Sequence, residues 1–165
     1  MTDSKIESTI NDWLQDEQQT ITKIPQEQAD FFFRIDKAMG TNLNINIAKI
    51  KNRDMIQVLM GISINAETKK KLSKKENNKA SSFLIELQTN FLMKGVQFAW
   101  VPSFKEMTQI QIQDNLYVSE ITKTHLFNSM KLVKDAGALA LLVINQHVKI
   151  VPTETTSTNV QPGVQ

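Results

Sequence analysis

Cysteine is missing from all 165 residues. Its absence removes disulfides, thiolate metal sites and cysteine nucleophiles together, and it fits a reducing, cytoplasmic setting. Glycine is scarce, with five residues at positions 40, 61, 95, 137 and 163. At those spacings neither G-x-G-x-x-G nor G-x-x-x-x-G-K-[ST] can be written, so phosphate-cradling loops of these kinds are excluded. The G-x-S-x-G nucleophile elbow is excluded as well. Histidine is nearly absent. His125 and His147 fall on one predicted helix, roughly 33 Å apart at about 1.5 Å rise per residue, too far to share a metal. No D-x-D-x-D-G calcium loop is present. These absences predict no catalytic, cofactor-binding or metal-ligating residue and a protein that is not an enzyme. They leave open one arrangement, an acid/base pair assembled from distant carboxylates. Long apolar runs are also lacking. The most apolar window, Ala136 to Ile144, is far shorter than the roughly 20 residues a membrane-spanning helix needs. The first ten residues are polar and mixed in charge, so neither a signal peptide nor membrane insertion is expected.

What is present suits a folded core. Hydrophobic residues make up 41 % of the chain and the net charge is +2. The expected organisation is one domain over residues 1–150 and a disordered tail over 151–165, where threonine, proline and glycine replace any apolar stripe. The positive excess is local. Residues 65–94 carry seven basic and three acidic groups, mostly the lysines Lys69, Lys70, Lys71, Lys74 and Lys75, with Lys79 beyond them. A lysine run of this kind binds anions through salt-dependent contacts. Here Glu67 and Glu76 interrupt it, and no aromatic residue or arginine is interleaved, so a solvated linker or short exposed helix is the better reading and nucleic acid is not the expected partner.

Periodicity supplies the elements. Ile6, Ile10, Trp13 and Leu14 make an amphipathic stripe on a helix from Ser4 to Asp16. Three strands follow. In the first, Ala29 to Ala38, Phe31, Phe33 and Ile35 face one way and Phe32 the other, where it either packs under a helix edge or is a candidate exposed residue. The second, Leu43 to Lys51, sends Ile45 and Ile47 inward and Asn42, Asn44 and Asn46 outward to solvent. The third alternates most clearly, with Ile56, Val58, Met60, Ile62 and Ile64 on one face. A second helix carries Phe83, Leu87 and Phe91 and ends at Lys94–Gly95, a cation followed by a left-handed cap. Val96–Val101 and Met107–Val118 read as two more strands, with a bulge or turn near Asp114–Asn115. From Thr122 to Lys149 a seam of Leu126, Met130, Val133, Gly137, Ala140 and Ile144 repeats at alternating four and three. It can cover the sheet, pair with a second subunit, or do both, and Gly137 can interrupt the helix.

The order is thus α+β: helix, three strands, helix, two strands, long helix. With Ile10-Asn11-Asp12-Trp13-Leu14, the phenylalanine-rich first strand, Ile62-Ser63-Ile64 and Val96-Gln97-Phe98 after Gly95, this order resembles the type III secretion chaperone-like fold. It looks most like the uncharacterised small prokaryotic, largely archaeal, domain families sharing that fold. The resemblance implies a single antiparallel five-stranded sheet with helices mainly on one face. Secretion chaperones of this shape dimerise and bind extended client segments. No functional residue is carried over, because the matching stretches contain none. The expected function is a chaperone-like protein- or peptide-binding module that forms a homodimer, with Leu126, Met130, Val133, Gly137, Ala140 and Ile144 as the candidate association face. The alternative is anion or nucleic-acid binding through the lysine connector.

Overall fold

The computed structural model describes residues 3–74, 80–103 and 106–148. The chain runs α1 (Asp3–Asp16), β1 (Thr20–Lys23), β2 (Ala29–Asp36), a 3-10 turn (Ala38–Gly40), β3 (Ile45–Ile50), β4 (Met55–Ser63), α2 (Ala66–Lys74), α3 (Ala80–Lys94), β5 (Gln97–Val101), β6 (Gln109–Tyr117) and α4 (Lys123–Val148). The α+β class holds, but the count does not. One antiparallel sheet of six strands, in the order β1-β2-β3-β4-β6-β5, replaces the expected five. Four helices replace three. The additional strand, β1, has only four residues and no buried position. It exists through pairing, from Thr20 opposite Asp36 to Lys23 opposite Phe33. The additional helix, α2, comes from the lysine connector. Asn65 starts it, its side-chain oxygen accepting the Thr68 amide at 2.7 Å, which satisfies one early N–H.

Two compact units are distinguished, Met1–Met60 with Gln113–Lys134, and Gly61–Ile112 with Asp135–Gln165. In the first unit, Phe33 stands opposite Ile47 and Ile47 opposite Val58. These side chains are buried, as are Ile35, Ile45 and Ile56 on the same face and Ile6, Ile10 and Leu14 of α1. The other face is not the solvated surface expected of it. Phe32 is 1 % exposed and packs with Ala48 and Leu59, flanked by Ile24 and Ile50. Asn46 is buried too. Phe32 is therefore no exposed candidate. It sits opposite Ala48 in register, and the small alanine leaves room for the ring in a second, smaller core.

Also in this unit, Lys123 at the start of α4 donates to Glu17 at 2.9 Å and to Asp16 at 3.3 Å, next to the end of α1. The bond to Glu17 is the largest cause raising the Lys123 pKa above its usual value, with Asp16 adding to it. Lys23 and Glu7 form a further ion pair.

In the second unit, α3 ends as its sequence predicts. Gly95 takes φ +73°, its amide donates to Leu92 O at 3.1 Å, and the Val96 amide donates to Phe91 O at 3.2 Å. This is a Schellman cap, satisfying two orphan carbonyls. In the first unit α1 uses the same device without glycine. Gln18 has φ 54°, its amide bonds Gln15 O at 2.8 Å, and the Gln19 amide bonds Leu14 O at 3.0 Å. α4 runs through Gly137, so the helix is not interrupted there, and β6 runs through Asp114–Asn115, so no turn divides the strand. The predicted tail, residues 151–165, lies outside the described residues.

Left-handed backbone costs a side chain about 1 kcal/mol that glycine does not incur. In urea denaturation, Gln18→Gly should stabilise the protein by roughly 0.5–1 kcal/mol. Gly95→Ala, with nothing within 4 Å of the added Cβ, should destabilise it by about 1 kcal/mol through backbone conformation alone.

Candidate functional site

The proposed association seam is core. Leu126, Met130, Val133 and Ala140 are fully buried, Ile144 is 5 % exposed, and Gly137 is buried within the helix. In the folded chain these side chains are occupied by packing and present no free face. The lysine connector is only partly described. Lys69 is half-buried and Lys70 exposed on α2, and Lys70 has an interaction partner. The side chains of Lys71 and Lys74, and all of Lys75 and Lys79, lie outside the described residues.

Titratable chemistry is thinly spread. His125 places Nδ1 3.0 Å from Glu120 O, and its amide donates to the Thr122 hydroxyl at 3.2 Å, so it belongs to the N-terminal cap of α4. His147, at the end of the same helix, lies 2.9 Å from Glu86 Oε2 on α3 and edge-on to Phe83 at 5.4 Å. Within the second unit it joins α3 to the C-terminal end of α4. Among the described residues, no three His, Asp or Glu side chains gather as a metal site would require.

The second unit does carry an apolar surface. On α3, Phe83, Leu87 and Phe91 are buried while Ile85, Leu92 and Met93 are 61 %, 72 % and 81 % exposed. Ile85 and Leu92 are seven residues apart, which puts them on one side of a helix with exposed Gln88 and Thr89 between them. Beside α3 lies β5, which ends the sheet with β6 as its neighbour. Phe91 of α3 stacks on Phe98 of β5 at 5.0 Å, and Phe98 meets Trp100 edge-on at 5.9 Å. The strand reads Gln97-Phe98-Ala99-Trp100-Val101, with no charged residue and none fully buried. Val101 O accepts the Thr108 amide at 2.9 Å. Val101 thus turns its backbone toward the β6 side, and alternation turns that of Phe98 toward the outer edge. The opposite edge, β1, holds Lys23, with Pro25 shortly after it, two features that blunt an edge against pairing. β5 has no charge within it, and Pro102 follows only at its end.

Sequence reading placed Val96–Val101 as a strand and treated the α4 seam as the surface. The exposed side of α3 was missed because its buried stripe of Phe83, Leu87 and Phe91 accounted for the helix. Ile85, Leu92 and Met93 fall off that stripe, and that misfit was the available signal.

A family profile described as "Uncharacterized conserved protein (DUF2299)" matches residues 6–144. A search of curated proteins found no significant match. A solved structure, described as the crystal structure of an uncharacterized protein from Methanothermobacter thermautotrophicus, is similar with a TM-score of 0.76 at 20 % identity. The alignment covers 86 % of this chain and 98 % of that one. At that identity the likeness is one of fold. It agrees with the expected resemblance to uncharacterised archaeal domains; neither comparison gives evidence for a secretion-chaperone fold.

If the seam is core and the α3 surface is free, truncation separates them. Met130→Ala should cost about 2–5 kcal/mol in chemical denaturation. Leu142→Ala and Leu92→Ala, both on exposed positions, should stay within about 0.5 kcal/mol of the parent.

Proposed function

Because the chain belongs to the DUF2299 family, which is defined by sequence and not by a reaction, we propose from the geometry of this chain that it is a non-enzymatic interaction module. It takes an extended protein segment along β5, and a second copy of the same chain is the first such partner. The observation that supports this is an uncharged, partly exposed strand at the sheet edge, Gln97–Val101, carrying Phe98 and Trp100. An added strand gains main-chain hydrogen bonds from the edge and side-chain contacts from the partly exposed Phe98 and Trp100. Pairing β5 with β5 of a second copy is self-complementary about a two-fold axis and needs no other partner. The client-binding habit implied by the chaperone-like resemblance is of the same kind.

No described helix is long and apolar enough to cross a membrane.

Hydrogen exchange measured at increasing protein concentration tests the reading. The Phe98 amide should exchange quickly in dilute solution and become protected as the sedimentation coefficient rises. Ala99→Lys, which places a charge on the edge, should leave the thermal midpoint nearly unchanged and abolish both effects. A parent protein that sediments as a monomer throughout, with unchanged Phe98 exchange, would overturn the self-pairing.

A further inference from the structure

The first unit contains a polar recess of about 430 Å³, lined by Asp30, Lys49, residues 51–54 and Val118. Its floor is unusual for a sheet. Lys49 stands opposite Phe31 on one side and Ile56 on the other, in the same file of alternate positions as Ile45 and Ile47. Its side chain is 7 % exposed, and its Nζ lies 2.8 Å from Asp30 Oδ2. A buried ion pair returns little more than its desolvation costs, and an apolar side chain of similar volume often serves stability as well. A third isoleucine would continue the file, so stability alone does not account for the lysine.

The backbone is shaped to keep this pair. Ala29 opposes Ile50 and Phe31 opposes Lys49, which leaves Asp30 as an extra residue in β2. Such a bulge re-aims a side chain that regular alternation would send to the other face. The rim is fixed from three directions. Asn52 takes φ 60°, and the Arg53 amide donates to Ile50 O at 3.2 Å. The Lys51 amide donates to Gln28 O at 3.0 Å, and the Val118 amide to Asp54 O at 3.3 Å. Preorganisation of this kind lowers the ordering cost of binding.

We propose that this recess binds a small polar anion, a carboxylate- or phosphate-bearing metabolite with hydroxyl or amino groups. The lining carries three cations, Lys49, Lys51 and Arg53, against two carboxylates, Asp30 and Asp54. Its one positive charge of excess lies in a stretch, residues 1–64, that holds seven basic and nine acidic groups. Lys49, held in place by Asp30, and Arg53 at the rim attract the anionic group. The Asp54 carboxylate accepts from the ligand's hydroxyl or amine. Val118 alone among the lining residues is apolar, which disfavours a greasy ligand. The volume lies within the roughly 300–1,000 Å³ of small-molecule sites. This site is independent of β5 and does not rest on the interaction reading.

The test is an NMR titration of the isotopically labelled full chain with inorganic phosphate and, separately, with acetate, sodium chloride serving as the ionic-strength control. Saturable shifts confined to the amides of residues 49–54 and 118 are expected with at least one of the two. The anion that saturates at lower concentration identifies the ligand's head group. Arg53→Gln, at an exposed position, should weaken the apparent Kd about tenfold with an unchanged spectrum elsewhere. Lys49→Met combined with Asp30→Asn should keep the thermal midpoint and abolish the shifts, whereas Lys49→Met alone should lower the midpoint. The proposal is overturned if neither anion gives saturable shifts, if the shifts persist in the folded double variant, or if they follow chloride equally.

Discussion

The register between β2, β3 and β4 is the constraint on which the fold depends. Phe33, Ile47 and Val58 line up across three strands, and with Ile35, Ile45 and Ile56 they form the larger buried face. Each such side chain contributes about 1.5–3 kcal/mol when fully removed from water. A slip of one residue in β3 would turn Ile45 and Ile47 away and bring Asn46 and Ala48 in their place. It would also set a larger side chain against Phe32, where alanine now leaves space. Two cores of unequal size thus enforce the same alignment.

That alignment explains the departures from regular pattern. The extra residue in β2 interrupts pairing at a single place, beside the one charged side chain in the isoleucine file. Another paired lysine, Lys123, sits at a helix start near Asp16 and Glu17. Helix termini are completed locally where Asn65 starts α2 and where Gln18 and Gly95 end α1 and α3, each satisfying backbone groups the helix leaves unpaired.

The sequence was most legible where local chemistry and burial agreed. The alternation of β4, the seam of α4 and the Lys94–Gly95 stop each predicted an element within a few residues of its observed bounds. It was least legible where an element is created by its neighbours. Thr20–Lys23 is a strand because β2 offers it an edge, and no pattern in four residues could announce that. α2 is too lysine-rich to display an apolar stripe, so the sequence left a linker and a short exposed helix both open, although Asn65 three residues before Thr68 was a capping signal. Polar residues also misled. Asn46 was assigned to solvent by alternation, yet it lies beside a second core that alternation in one strand cannot reveal. For the candidate surface, the strand at residues 97–101 was read correctly. Pro102 left open whether it simply ends there or lies at an edge, and the strand order, a property of the whole sheet, puts it at the edge. Lys49 carried a readable sign, a lysine two residues beyond Ile47 in an inward-facing series.

The strand order has a consequence for the protein as it is made. β1 to β4 are neighbours in both sequence and space, so a nascent chain can complete that meander while residues beyond 63 are still being synthesised. The next partner of β4 is β6, which cannot arrive until residues 64–108 have left the ribosome. Throughout that interval Met55–Ser63, the most regularly apolar strand of the chain, borders open solvent along one whole side. The growing chain is therefore most vulnerable to joining a neighbouring nascent chain before its own last strand is translated.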